Sequence, residues 1–168
     1  MKKMLAALFA VFMLTSLSSF AAPMLGQGTR QLDVNGSIDD NGEDLALSLN
    51  VGAGYFIANM LEIGGTAAGS VVGDFKTLSA GVSGEYNFDI GAIVVPFVGA
   101  GLSLAWRDFD GDTDSYFVAS GSAGVKYFLV DTVALTAQAN LLLATDDVYN
   151  GGKDAIDWNL TLGTSFYF

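Results

Sequence analysis

Cysteine and histidine are both missing from this sequence of 168 residues. Without cysteine there is no disulfide framework, no thiol chemistry and no acylated N-terminal cysteine of the lipoprotein kind. Without histidine there is no imidazole general base and no imidazole metal ligand. Positive charge is almost as scarce. Beyond Lys2 and Lys3, only Arg30, Lys76, Arg107, Lys126 and Lys153 stand against 18 acidic residues. So acidic a chain is a poor partner for phosphate backbones, and no nucleic-acid role is expected. Past the first segment there is also no apolar run near the ~20 residues of a transmembrane helix. Yet 51% of the residues are hydrophobic and the mean hydropathy is positive. No Pro/Ser-rich linker divides the chain, so one domain is expected.

The first segment is set aside before any fold reasoning. Lys2 and Lys3 precede an apolar run from Met4 to Leu14, and Ser19-Phe20-Ala21 followed by Ala22-Pro23 supplies small residues for cleavage. That pattern predicts a signal peptide over 1–21, removed after Ala21, and a barrel domain over 22–168.

From Leu45 to Tyr55 apolar residues recur at every second position: Leu45, Leu47, Leu49, Val51, Ala53 and Tyr55, with Ser48, Asn50, Gly52 and Gly54 between. Period two means extended strand, because successive side chains leave a strand on opposite sides. The same dyad recurs over Thr29 to Ile38, Leu61 to Val71, Thr77 to Phe88, Ile93 to Trp106, Tyr116 to Phe128, Val133 to Leu143 and Ile156 to Phe168. Eight runs near the ~9–11 residues of a tilted membrane strand predict an all-β, closed, antiparallel, up-and-down transmembrane β-barrel.

The polarity of the two faces separates this fold from a soluble sandwich or lipocalin-like barrel. A soluble sheet turns charge to water on its polar face. Here that face is mostly Gly, Ser, Thr, Asn and Gln, with charges within strands only at Asp33, Glu62, Glu85, Lys126 and Asp157, and the apolar face carries none in its central rows. A Lys or Arg at the midplane of a lipid-facing wall would cost roughly 2–4 kcal/mol. Connections alternate between short ones at 57–60, 89–92 and 129–132 and more acidic ones at 39–44, 72–76, 107–115 and 145–155. The short set is expected at the periplasm, with both termini, and the acidic set outside. Outward aromatics fall near the two ends of the runs: Tyr55, Tyr86, Phe88, Tyr127, Phe166 and Phe168 at one, Trp106, Phe117 and Trp158 at the other. They read as interfacial girdles.

Val51-Gly-Ala-Gly-Tyr-Phe56 with Leu61-Glu-Ile-Gly64, then Pro96-Phe-Val-Gly-Ala-Gly-Leu102, Gly124-Val-Lys-Tyr-Phe128 and the ending Leu162-Gly-Thr-Ser-Phe-Tyr-Phe168 follow one another in order. In these segments the chain resembles the small outer-membrane-protein β-barrel family of opacity and adhesion types, porin-like barrels of the Gram-negative cell envelope. The resemblance implies outer-membrane localisation and contact with lipid and lipopolysaccharide. It also implies recognition of Phe166 and Phe168 by the barrel-assembly machinery. A monomer is expected.

Three groups of residues carry the candidate chemistry. Glu62, Glu85 and Lys126 face inward close to short turns and predict a charge cluster plugging the lumen, with Lys126 shared by two carboxylates. A gate or ion path is the rival reading. Asp108, Asp110, Asp112 and Asp114 form the densest acidic run, an oxygen-rich loop that could hold Ca²⁺ or Mg²⁺, although its glycine spacing is not that of an EF-hand. No other cofactor is expected. With no histidine and no marked carboxylate pair, an enzyme is not expected either. The function read from these features is a structural or surface-interaction role in the outer membrane, with passive transport of small or hydrophobic molecules as the alternative.

Overall fold

The computed structural model describes residues 23–40, 45–72, 75–109, 112–149 and 154–168. The expected signal peptide lies outside them. Eight strands follow one another: β1 (Arg30–Asp40), β2 (Leu45–Ala58), β3 (Leu61–Val72), β4 (Phe75–Asn87), β5 (Val94–Phe109), β6 (Asp112–Val130), β7 (Val133–Ala144) and β8 (Ile156–Tyr167). Each pairs antiparallel with its neighbours in chain order, and β1 pairs with β8 to close the barrel. The ladder hydrogen bonds are thus met between strands without free sheet edges along most of the wall, as a lipid surround requires.

The period-two alternation sorts the side chains as expected. Leu47, Leu49, Val82, Leu102, Phe117, Trp158, Leu160 and Leu162 are exposed on the outer face, Trp158 to 70%. Phe56, Val95, Phe97, Lys126, Phe128 and Tyr167 are buried in the interior. Such a contiguous apolar exterior has no place in water. Phe168 stands just past β8, exposed outward, and exchanges two backbone hydrogen bonds with Arg30, at 2.8 and 3.0 Å.

The turns at 59–60 and 131–132 are each two residues long, and each follows a register shift, at Phe56/Ala58 and at Phe128/Val130. A bulge adds one residue and re-aims the strand. Here it leaves Ile57 with Ala58, and Leu129 with Val130, exposed as pairs beyond Phe56 and Phe128. Met60 takes a left-handed backbone (φ 66°), fixed by its N–H on the Leu25 carbonyl and its own carbonyl on the Asn87 N–H, both at 2.8 Å.

Three of the acidic connections are shorter than the sequence suggests: strand structure takes in Asp39 and Asp40 of 39–44, and Val72, Phe75 and Lys76 of 72–76. The acidic stretch 107–115 was expected to be a loop, but β5 continues to Phe109 and β6 begins at Asp112, with Arg107 paired to Asp114 and Asp108 to Thr113. Apolar alternation stops at Trp106 because the hairpin there needs only backbone pairing and one polar cross-strand pair, not a lipid-facing side.

Candidate functional site in the lumen

The inward positions of the eight strands stack into layers along the barrel axis. At the end that carries Pro23 and Phe168 the layer is apolar: Leu25, Phe56, Val95, Phe128, Ala134 and Tyr167 form one buried cluster, with Met60 packed against it. Tyr167 is its centre, with ring centroids 5.2 Å from Phe128 and 6.4 Å from Phe56. Leu25 is not on a strand. The segment before β1 folds across this end and is tied to the turns by Met24 N–H to the Asp131 carbonyl (3.3 Å), Gly28 N–H to the Phe56 carbonyl (2.9 Å) and Gln27 N–H to Asn59 Oδ1 (3.0 Å). Sequence reasoning missed this floor. Its signal was present, since Phe56, Phe128 and Tyr167 are large apolar residues of inward parity, each within three residues of a turn or terminus.

The charged layer lies against the floor. Lys126, 1% exposed, pairs with Glu85 and donates to Gln31 Oε1 at 3.2 Å, while its ammonium stands 5.1 Å from the Phe97 ring centre and 5.7 Å from that of Tyr167. Glu85 also accepts from Asn87 Nδ2 at 2.9 Å. Asp33 accepts from Gln31 Nε2 at 2.6 Å and from the Ser165 hydroxyl at 2.5 Å, and Ser165 meets Thr136 Oγ1 at 2.8 Å. Glu62 is the odd member. It sits directly across the β3–β4 ladder from Glu85, is 6% exposed, and its Oε2 has no hydrogen-bond partner. The layer thus holds Asp33, Glu62 and Glu85 against one ammonium. The structure brings Glu62, Glu85 and Lys126 together, with Lys126 hydrogen-bonded to Glu85 and to the neutral amide of Gln31, a residue on β1 that sequence spacing could not bring to it.

Side chains do not fill the interior evenly. Above the charged layer the inward positions of β3 to β6 are Gly64, Thr66, Ala68, Ser79, Gly81, Ser83, Gly99, Gly101, Ser103, Ser120 and Ser122, all small. Opposite, Gln138, Asn140, Asn159 and Thr161 form an amide chain, with Gln138 Nε2 to Asn140 Oδ1 at 3.0 Å and Asn140 Nδ2 to Asn159 Oδ1 at 2.8 Å. The space left is a cavity of about 870 Å³, lined by these hydroxyls and amides and by the glycines between them.

Its far end is narrowed by a second apolar cluster, Ala105, Tyr116 and Val118, with Leu142, Ala144 and Val148 against it. Arg107 donates to the Val148 carbonyl and stands over the Tyr116 ring at 5.8 Å, which holds the 145–149 part of the β7–β8 connection inward. A backbone bridge joins Tyr149 to Asp154. Burial pushes the Tyr149 phenol up to about 12, helped by Tyr116 and Asp157 and opposed by Arg107.

The acidic run gives no comparable site among the described residues. Asp108 is paired with Thr113 on the outward parity and Asp114 with Arg107 on the inward one, so those two carboxylates leave the ladder on opposite faces. Asp110 lies outside the described residues, as does the side chain of Asp112. Half of the expected divalent-cation loop thus lies outside the described residues.

No protein-family model matches this sequence, and no curated protein matches it. Solved structures do. Neisserial surface protein A is similar at 25% identity and TM-score 0.65, over 83% of this chain and 96% of that one. The N-terminal β-barrel domain of Pseudomonas aeruginosa OprF is similar at 18% identity and TM-score 0.64, over 85% and 99%. Ail of Yersinia pestis, in a phospholipid bilayer nanodisc, is similar at 17% identity and TM-score 0.55, over 84% and 100%. The fold is that of the small eight-stranded outer-membrane barrels, the family that the sequence segments resemble.

Proposed function

We propose that this chain is an integral outer-membrane barrel with a structural or surface-interaction role, that it is not an enzyme, and that it does not pass ions straight through its lumen. The observation that carries the reading is the pairing of an apolar exterior with a floor closed by Leu25, Phe56, Phe128 and Tyr167 and backed by the Lys126 layer. An eight-stranded barrel encloses little more than its own side chains, so an apolar cluster across one end removes the aqueous path. The short turns and both termini then face the periplasm, and the acidic hairpin and the 145–155 connection meet lipopolysaccharide and external partners. Phe166 and Phe168, outward on the last strand, are the residues offered to the assembly machinery.

Three measurements test this together. The protein should fractionate with outer membranes and run as a heat-modifiable band, and in planar bilayers it should show no stepwise conductance. Regular ion-conducting steps from purified protein would overturn the closed floor. Passive transport of apolar molecules is the second reading, in a lateral form, because β1 and β8 share only six paired positions, Gln31↔Tyr167 to Gly36↔Leu162, and leave an unpaired seam between them beyond Gly36 and Leu162.

A further inference from the structure

The cavity above the charged layer is a long chamber closed at its lower end. Its floor is the Lys126 layer on the Leu25, Phe56, Phe128 and Tyr167 cluster, and its upper end reaches Tyr116, Val148 and Tyr149. The stretch of β6 from Lys126 to Tyr116 rises roughly 25 Å along the axis, at about 3.3 Å per residue and about 40° of tilt. Over most of that length β3 to β6 turn only glycine, alanine, serine and threonine inward. An eight-stranded interior is only a few side chains wide, so the space they leave is slim as well as long. Its volume of about 870 Å³ lies within the range of small-molecule sites.

The groups around the chamber are largely uncharged, and many are not engaged. Ser83, Ser103, Ser120 and Ser122 on one side, and Asn35 and Asn50 on the other, take no hydrogen-bond partner among the described residues. Each hydroxyl and each amide can both donate and accept. The two cations among the described lining residues are already held, Lys126 by Glu85 and Gln31, and Arg107 by the Val148 carbonyl. Of the lining carboxylates, Asp157 stands at the upper end beside Tyr149. The exposed carboxylates of Asp108, Asp114, Asp146 and Asp147 crowd the same end, so an anion is repelled before it enters.

Inward side chains recur at every second residue of a strand, which is about 5 Å along the axis of a tilted barrel. A pyranose ring in an extended, equatorially linked chain advances by nearly the same length, so successive rings meet successive rows of hydroxyls and amides. Sugar hydroxyls donate and accept without charge and reproduce the hydrogen bonds of any water they replace, which leaves no polar group unmet. At the upper end the Tyr116 and Tyr149 rings offer apolar surface to the C–H face of a sugar ring, and the Asp157 carboxylate accepts from two adjacent hydroxyls.

We propose that the chamber is a binding site for a neutral, unbranched saccharide of two or three pyranose rings, taken in at the outer end past the 145–149 segment that Arg107 holds inward. The closed floor leaves that end as the way in. The site rests on the orientation and the closed floor proposed above and goes beyond them by naming a ligand class.

The test uses the full protein in phosphatidylcholine nanodiscs, titrated with cellotriose and followed by saturation-transfer NMR of the sugar protons. Transfer should saturate with concentration, and unlabelled protein sites should be displaced competitively by cellobiose. Glucose, which meets one row only, should bind roughly tenfold more weakly. Cellobionate, with a carboxylate in place of one ring, should show no saturable transfer. Asp157→Asn should weaken cellotriose roughly tenfold through the loss of charge-assisted hydrogen bonds. Ser103→Leu, which fills the chamber from β5, should abolish the binding. Transfer that rises linearly with cellotriose overturns the site, and so does saturable transfer that survives Ser103→Leu, since the sugar would then sit on the outer surface. Heat-modifiable migration of every sample shows that the barrel has formed, which keeps a failure to bind distinct from a failure of the membrane placement.

Discussion

Replacing Lys126 by methionine removes a charge while keeping an unbranched side chain of similar length against the Phe97 and Tyr167 rings, so the substitution isolates the electrostatics of the layer. The ammonium is 1% exposed and serves Glu85 and Gln31. Its loss leaves Asp33, Glu62 and Glu85 facing one another with no cation, and Glu62 and Glu85 are direct cross-strand neighbours. Removing one partner of a buried pair costs about 3–5 kcal/mol when the other charge cannot reach water. Glu85 keeps 19% of its side chain exposed and a donor from Asn87, which places the expected loss at the lower end, about 3 kcal/mol. Denaturant unfolding from phospholipid vesicles measures it. Lys126→Met with Glu85→Gln should recover part of the loss, with a coupling of about 1–3 kcal/mol in the double-mutant cycle. A folded K126M barrel destabilised by under about 1 kcal/mol would refute the reasoning, because it would mean that the three carboxylates are held apart by something other than the ammonium.

Three further outcomes follow from particular contacts. Gly163 stands at the β1–β8 closure, where an added Cβ would meet Asn35 Oδ1 at 1.8 Å and the Val34 carbonyl at 2.6 Å. Gly163→Ala should cost about 1–3 kcal/mol in the same unfolding assay, whereas Gly121→Ala, with open space around it, should change little. The Tyr149 phenol, pushed up to about 12, favours the inward-held loop most fully below its ordinary value near 10, and that contribution is lost as pH rises from about 10 to about 12. Phenolate absorbance should show a titration phase near pH 12 that Tyr149→Phe removes, and an unchanged curve would count against its burial. Arg107→Ala deletes the bond to the Val148 carbonyl and should speed proteolytic cleavage within 145–155, with the barrel itself left intact.

The wall of the barrel was legible in the sequence because its signal is local. Each residue from Leu45 to Tyr55 declares its face by its neighbours, and strand count, parity and the outward position of Phe168 follow from the same period. The hairpin at 107–115 was misread for the same reason. Where strands rise past the apolar band the alternation loses its contrast, although Arg107↔Asp114 keeps the ladder. Contacts across the lumen were legible only in part. Inward parity and short turns placed Glu62, Glu85 and Lys126 in one layer, but the partner of Lys126 depends on shear and on how far Gln31 reaches, and Gln31 is 95 residues away in the chain. Leu25 was out of reach altogether, since a segment without period two gives no parity to read.

Chamber and seam have one physical origin. An eight-stranded barrel is normally filled by its own side chains, and this one is emptied on a single side by the run of Gly, Ser and Thr that β3 to β6 turn inward. A dry void of that size would forfeit contacts on every wall, but a polar one with amides and hydroxyls around it holds water at small cost. Above Gly36 and Leu162 the unpaired edges of β1 and β8 border this cavity, so their backbone groups are not left to lipid alone. Filling the chamber should therefore close the seam: Ser103→Leu, aimed into the cavity from β5, is expected to slow amide exchange along Ile156–Thr161 as the edges lose their solvent. Exchange there that stays as fast as in the wild-type chain would separate the two features and leave the seam without a cause.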